Sequence, residues 1–178
     1  MTVTAPLVDI HKGDHKDSIL QKPTVPYVFD PDNPLVDPVS FAKKLGETMI
    51  AEGGVGLAAP QIGFNYSVFV IGDPTNKDSI MAMFNPIIVD YSEEQVYYDE
   101  GCLSYPGLYM KVKRPAEIRI RFTDMHGETT TTKYKGFTAR VIQHEYDHLQ
   151  GTTFTSRASK THKDQGMRKL KKFQRKHK

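Results

Sequence analysis

The run Gln143-His144-Glu145-Tyr146-Asp147-His148 constrains this chain more than any other stretch. His-Glu-x-x-His on a helix sets two imidazoles one turn apart on one face, where both can grip a single metal ion. The intervening Glu then stands close enough to act as a base. The flanking sequence predicts the helix: Gly136 precedes the run, the next fourteen residues contain neither Gly nor Pro, and Gly151 supplies a C-terminal stop. Phe137, Val141, His144 and His148 share one helical face. Ala139, Ile142, Tyr146 and Leu149 make much of the opposite side apolar as well, so the helix is expected to be buried. Two imidazoles and two carboxylates inside a protein need partners, and a metal ion provides one.

Two histidines do not complete a site. Zinc peptidases of this pattern take their third ligand from downstream, either a His six residues after the second His or a more distant Glu. Here Phe154 stands at the first position and no Glu follows Glu145. His162, Asp164 and His177 lie in a basic tail, a poor place for a rigid site. The third ligand is therefore expected upstream, and Cys102 in Glu100-Gly101-Cys102-Leu103-Ser104 is the candidate. Taken singly, a lone cysteine reads as a small buried hydrophobe. Beside a histidine pair that lacks its usual partner, thiolate plus two imidazoles suits zinc or ferrous iron and leaves one tetrahedral position for water.

The 178 residues suffice for one well-cored domain. A single cysteine rules out an internal disulfide framework and fits a reducing compartment, so the expected location is cytoplasmic or an equivalent interior. Apolar runs such as Val68-Phe69-Val70-Ile71 are too short to cross a bilayer, and Asp9, Asp14 and Asp17 argue against a targeting segment. The net charge of +3 conceals an asymmetry: residues 157–178 hold ten Lys/Arg and one acid, a net +9, whereas the other 156 residues hold fourteen Lys/Arg and twenty acids, a net −6. The expected organisation is a catalytic metallohydrolase domain over 1–156 and a basic C-terminal helix or tail over 157–178. Such a tail reads either as a solvated arm or as an attachment to phosphate-rich surfaces such as RNA.

Residues 1–36 predict irregular structure with a short strand at Tyr27-Val28-Phe29. Asp37 and Pro38 open a helix that Gly53-Gly54 ends. The small-residue run Gly54-Val55-Gly56-Leu57-Ala58-Ala59-Pro60-Gln61 reads on its own as a turn or close packing. Strands are expected over 67–71, 81–84, 87–89, 95–98, 110–112 and 117–122, then a hairpin turn at 124–127, a strand over 128–134 and a terminal helix over 159–176. The fold class is α+β, with antiparallel or mixed β-sheets around a central buried helix and a C-terminal helix.

Three segments together resemble the signature set of peptide deformylases: Gly54-Val55-Gly56-Leu57-Ala58-Ala59-Pro60-Gln61, Glu100-Gly101-Cys102-Leu103-Ser104, and Gln143-His144-Glu145-Tyr146-Asp147-His148. The resemblance implies an enzyme that removes the formyl group from N-formylmethionyl nascent peptides. It implies Cys102, His144 and His148 as ligands of Fe2+, with Zn2+, Ni2+ or Co2+ as substitutes, and a water in the fourth position. Glu145 would take that water's proton and later deliver it to the departing amine. Gln61 and the backbone N–H of Leu103 would stabilise the developing oxyanion. Helix geometry puts Phe137 and Val141 beside the histidines as walls of an apolar pocket suited to methionine. The resemblance adds Val55 and Tyr98 to that lining and brings Val55, Gly56 and Gly101 against the peptide backbone.

Asp147 is expected to orient a metal-bound imidazole, and Glu100 to anchor the Cys102 loop through Arg114 or Arg140. Tyr109 stands where many relatives carry arginine, near the substrate entrance. In bacterial relatives a C-terminal helix docks the enzyme on the ribosome, a role open to residues 157–178; neither DNA nor membrane is an expected partner. A zinc endopeptidase is the rival enzyme, opposed by the missing downstream ligand. A metal-stabilised RNA-binding protein is the rival of another class, opposed by Glu145, which a structural site does not need.

Overall fold

Asp37 starts the first helix as its sequence dictates: Oδ2 accepts a hydrogen bond from Ser40 N at 2.8 Å and Pro38 takes the first helical position. The computed structural model describes residues 18–30, 32 and 37–176. Its elements are α1 (Pro38–Ala51), β1 (Gly56–Ala58), β2 (Val68–Ile71), β3 (Met81–Tyr91), β4 (Gln95–Cys102), β5 (Tyr105–Pro115), β6 (Glu117–Thr123), β7 (Thr129–Lys135), α2 (Gly136–Leu149), α3 (Phe154–Arg157) and α4 (Lys160–Lys176). The sheet runs β1-β2-β3-β6-β7 with antiparallel pairs throughout, and β4-β5 forms a separate two-stranded ribbon.

The central helix is α2, which carries the His-Glu-x-x-His run. Ala139, Val141, Ile142 and Leu149 pack with Phe69, Met83, Ile118 and Ile120 of the large sheet. From another side α2 sends Arg140 and Gln143 to the backbone of the ribbon, with Arg140 Nη2 donating to Val96 O at 2.8 Å and Gln143 Nε2 to Pro115 O at 3.0 Å. The helix thus packs its apolar stripe on the sheet and turns its polar row to backbone carbonyls and buried charges of the ribbon, whose own inner face also carries Leu108, Met110 and Val112. A second apolar cluster, with Phe41, Leu45 and Met49, seats α1 against β1 and β2.

Several elements depart from the sequence expectation. The two strands foreseen over 81–84 and 87–89 are one, β3, with register shifts between Phe84 and Ile87 and between Ile88 and Asp90. Asn85, at φ 48°, absorbs the first irregularity. Its side chain also explains why Tyr27-Val28-Phe29 is no strand. Tyr27 N donates to Asn85 Oδ1 at 2.7 Å and Asn85 Nδ2 donates to Tyr27 O at 2.8 Å, so a side-chain amide satisfies the groups a ladder would have used. Most of the rest of residues 1–36 lies outside the described residues.

β1 sits inside the glycine-rich run, too short to show a period. The expected C-terminal helix is present as α4, and it packs on β5. A Cβ on Gly166 would lie 2.6 Å from Tyr109 O, so only glycine lets α4 come this close to the ribbon. Among the described residues no helix is long and apolar enough to cross a membrane.

Candidate metal centre

Cys102 ends β4 where the ribbon's register breaks. Gly101 pairs with Tyr109, yet Cys102 pairs with Tyr105, so residues 106–108 bulge from β5 and the thiol is turned toward α2. On α2, His144 and His148 stand one turn apart with ring centroids 5.1 Å from each other. Cys102 Sγ lies 3.4 Å from His148 Nε2, and one donor atom from each of the three residues falls within 4.8 Å of the others. The structure therefore brings together the three residues that the sequence singled out, from elements 42 residues apart.

Glu100 organises the surroundings. Its Oε1 accepts from Arg114 Nε at 2.6 Å and Arg140 Nη1 at 2.7 Å, and its Oε2 from Arg114 Nη2 at 2.9 Å. Both arginines hold it, where the sequence left the choice between them open. Oε2 also lies 3.0 Å from His144 Nδ1, which leaves Nε2 as that ring's available donor to the site. This corrects the expectation for Asp147. The carboxylate that meets a histidine of the pair is Glu100; Asp147 pairs instead with Arg114 at 2.7 Å and with Arg157 at 2.7 and 3.1 Å.

Burial governs the ionisation of these groups. It works against charge on Glu100, but hydrogen bonds from His144 and Arg114 outweigh it and hold the carboxyl far below the usual range. Burial likewise opposes a charge on His144, yet contacts with Cys102 and Glu100 raise its pKa above the ordinary histidine value. His148, buried and next to His144, is pushed well below it. Glu145 is raised to about 7, first by burial and then by the Glu100 charge. Its Oε2 has no hydrogen-bond partner among the described residues. A Cβ on Gly56 would come within 2.5 Å of Glu145 Oε1, so glycine there leaves room for the carboxylate.

Gln61 is fixed at both ends of its amide. Oε1 accepts from Ala58 N at 2.9 Å, while Nε2 donates to Ser104 Oγ at 3.1 Å and reaches Cys102 Sγ at 3.5 Å. A cavity of about 460 Å³ adjoins these groups and borders Gln61, Cys102, Leu103, His144 and Glu145. Val55, Gly56, Gly101, Phe137 and Val141 contribute to its walls. Tyr98 does not: its ring lies under the Arg140 guanidinium, 5.1 Å from centroid to Cζ. Tyr109 lines the mouth, 61% exposed, with its ring over Gly101. Sequence reasoning passed over Ser104 and Arg157. Ser104 lies within the cysteine motif, but Arg157 was hidden in the charge run of the tail.

Removing the Glu100 charge is expected to be severe. Glu100→Gln leaves two buried guanidinium groups facing a neutral amide, and we expect a loss of roughly 3–5 kcal/mol in denaturant unfolding. It also loosens the His144 ring, so chelator competition should show metal affinity lower by about 10- to 100-fold.

The fold and the site together define the class: an α+β protein with a thiol and two imidazoles converging on an HExxH helix, open to a cavity beside a carboxylate whose Oε2 has no hydrogen-bond partner among the described residues. A model of the polypeptide deformylase family matches residues 9–164. The chain belongs to that family. It is 44% identical over 116 residues to a peptide deformylase of Pseudothermotoga lettingae, an alignment covering 65% of this chain and 66% of the relative. It is 41% identical over 130 residues to one of Treponema pallidum, covering 73% and 78%. The alignment with a Thermosynechococcus vestitus relative spans 63% of that protein, so with two of these three relatives the match falls just short of two thirds of their length. Among solved structures, a peptide deformylase from Legionella pneumophila superposes with TM-score 0.81 at 30% identity over 98% of both chains. One from Thermotoga maritima gives 0.77 at 32% identity, covering 88% of this chain and 99% of that one.

Proposed function

We propose that this chain hydrolyses the formyl group from N-formylmethionyl peptides. The observation that carries the reading is the meeting of three donor atoms within 4.8 Å beside an apolar-walled cavity and the protonatable Glu145. The donor set fits a single divalent ion: a thiol and two imidazoles, one ring held by Glu100 so that its far nitrogen faces the others. Cys102, His144 and His148 would hold that ion, which we take to be Fe2+ in the cell, with Zn2+, Ni2+ or Co2+ able to replace it. When bound it supplies Lewis acidity, polarising the formyl carbonyl and making water more acidic.

The protein's own groups do the rest. Glu145 accepts a proton from the attacking water and passes it to the amine nitrogen as the formyl C–N bond breaks, releasing formate and a free N-terminus. Gln61 Nε2 and the Leu103 N–H donate to the carbonyl oxygen as negative charge grows on it. Val55, Phe137 and Val141 surround the methionine side chain, while Gly56 and Gly101 give the peptide backbone close approach. Tyr98 serves from behind the wall, through Arg140.

The test is an anaerobic, iron-loaded assay of formate release from a formyl-Met peptide, run beside a peptide-cleavage screen. Formate release without cleavage is expected; internal cleavage without formate would make the chain an endopeptidase. A lone thiol among the ligands supports work in a reducing interior such as the cytoplasm. The basic α4 supports docking on the ribosome, and charge reversal of its exposed lysines is expected to abolish salt-sensitive co-sedimentation.

A further inference from the structure

The two ligand histidines are not held alike. His144 has Glu100 on its Nδ1, whereas His148 Nδ1 is buried with no hydrogen-bond partner among the described residues. Its ring depends on the placement of the last turn of α2. That turn is fastened through the neighbouring residue. The Asp147 carboxylate, 3% exposed as a residue, receives Arg114 Nη1 at 2.7 Å from β5 and a two-pronged grip from Arg157, with Nη2 to Oδ1 at 2.7 Å and Nε to Oδ2 at 3.1 Å. Two guanidinium groups from two different elements therefore fix the roll of one helical turn. Planar, two-point geometry is what suits arginine to that task.

We propose that Arg157 is a positioning residue which, through Asp147, sets the last turn of α2 and with it His148 Nε2 against Cys102 Sγ. The inference rests on reading Cys102, His144 and His148 as a metal triad. It also makes the first residue of the basic tail part of the site's support: Arg157 is half exposed, yet its partner is not. The same grip links α3, which Arg157 ends, to the ligand helix.

The experiment is a Co2+ titration of the metal-free full-length chain, wild type against Arg157→Ala and Arg157→Lys. It reads affinity by competition with a chromophoric chelator and geometry by the visible ligand-field bands of bound Co2+. Arg157→Ala should bind about tenfold more weakly, in the range seen when outer partners of metal ligands are lost, with displaced bands. Arg157→Lys keeps the charge but not the fork and should fall between. Unchanged affinity and bands in Arg157→Ala, even with a lower melting temperature, would make the residue merely structural and overturn the proposal. Wild type that takes up no Co2+ would overturn the metal reading, and this proposal with it.

Discussion

Glu145→Gln is expected to lower formate release by about 10³-fold or more while the metal stays bound, because the amide keeps the shape of the side chain but can neither accept nor deliver a proton. The surroundings of Glu145 support that proposed role. Burial raises the carboxyl to about 7, and its Oε2 has no hydrogen-bond partner among the described residues. Kinetics with metal analysis check the first half; equilibrium unfolding checks the second. In the metal-free protein, native Glu145 holds its proton up to about pH 7 while the unfolded chain releases it near 4.5. Between those values the native state binds more protons, so stability falls as pH rises, by roughly 1.4 kcal/mol per unit and about 3 kcal/mol across the window. Glu145→Gln should lack this slope. Equal slopes in wild type and variant would mean that Glu145 ionises freely in the folded protein.

Cys102→Ala is expected to abolish stable metal binding. Two imidazoles remain, one held by Glu100 and one with no hydrogen-bond partner on its far nitrogen among the described residues, and neither supplies the charge of a thiolate. Affinity should drop by well over the roughly 100-fold that loss of an outer partner costs, and activity should fall with it. Equilibrium dialysis at neutral pH followed by metal analysis gives the answer. One equivalent of tightly held metal in Cys102→Ala would remove the thiol from the ligand set. The two variants separate cleanly: Glu145→Gln loses chemistry with metal in place, and Cys102→Ala loses the metal.

The HExxH helix was legible because a fourteen-residue stretch without Gly or Pro, bounded by glycines, admits little else, and because helical spacing alone fixes which residues share the histidine face. The same local physics foretold α1, from its Asp37 cap and Pro38. Cys102 was reached by elimination, since the residues after His148 offer no rigid third ligand.

What sequence reasoning missed are non-local bonds. The Asn85 amide that replaces a strand ladder at Tyr27 acts across 58 residues. The preference of His144 for Glu100 over the nearer Asp147 acts across 44. Spacing along one helix is set by backbone geometry, so the chain itself determined that two imidazoles and a carboxylate would stand together. Which buried charges meet depends on how the ribbon lies against α2, and only tertiary packing decided that Glu100 would steady one histidine while Arg157, through Asp147, braced the turn that bears the other.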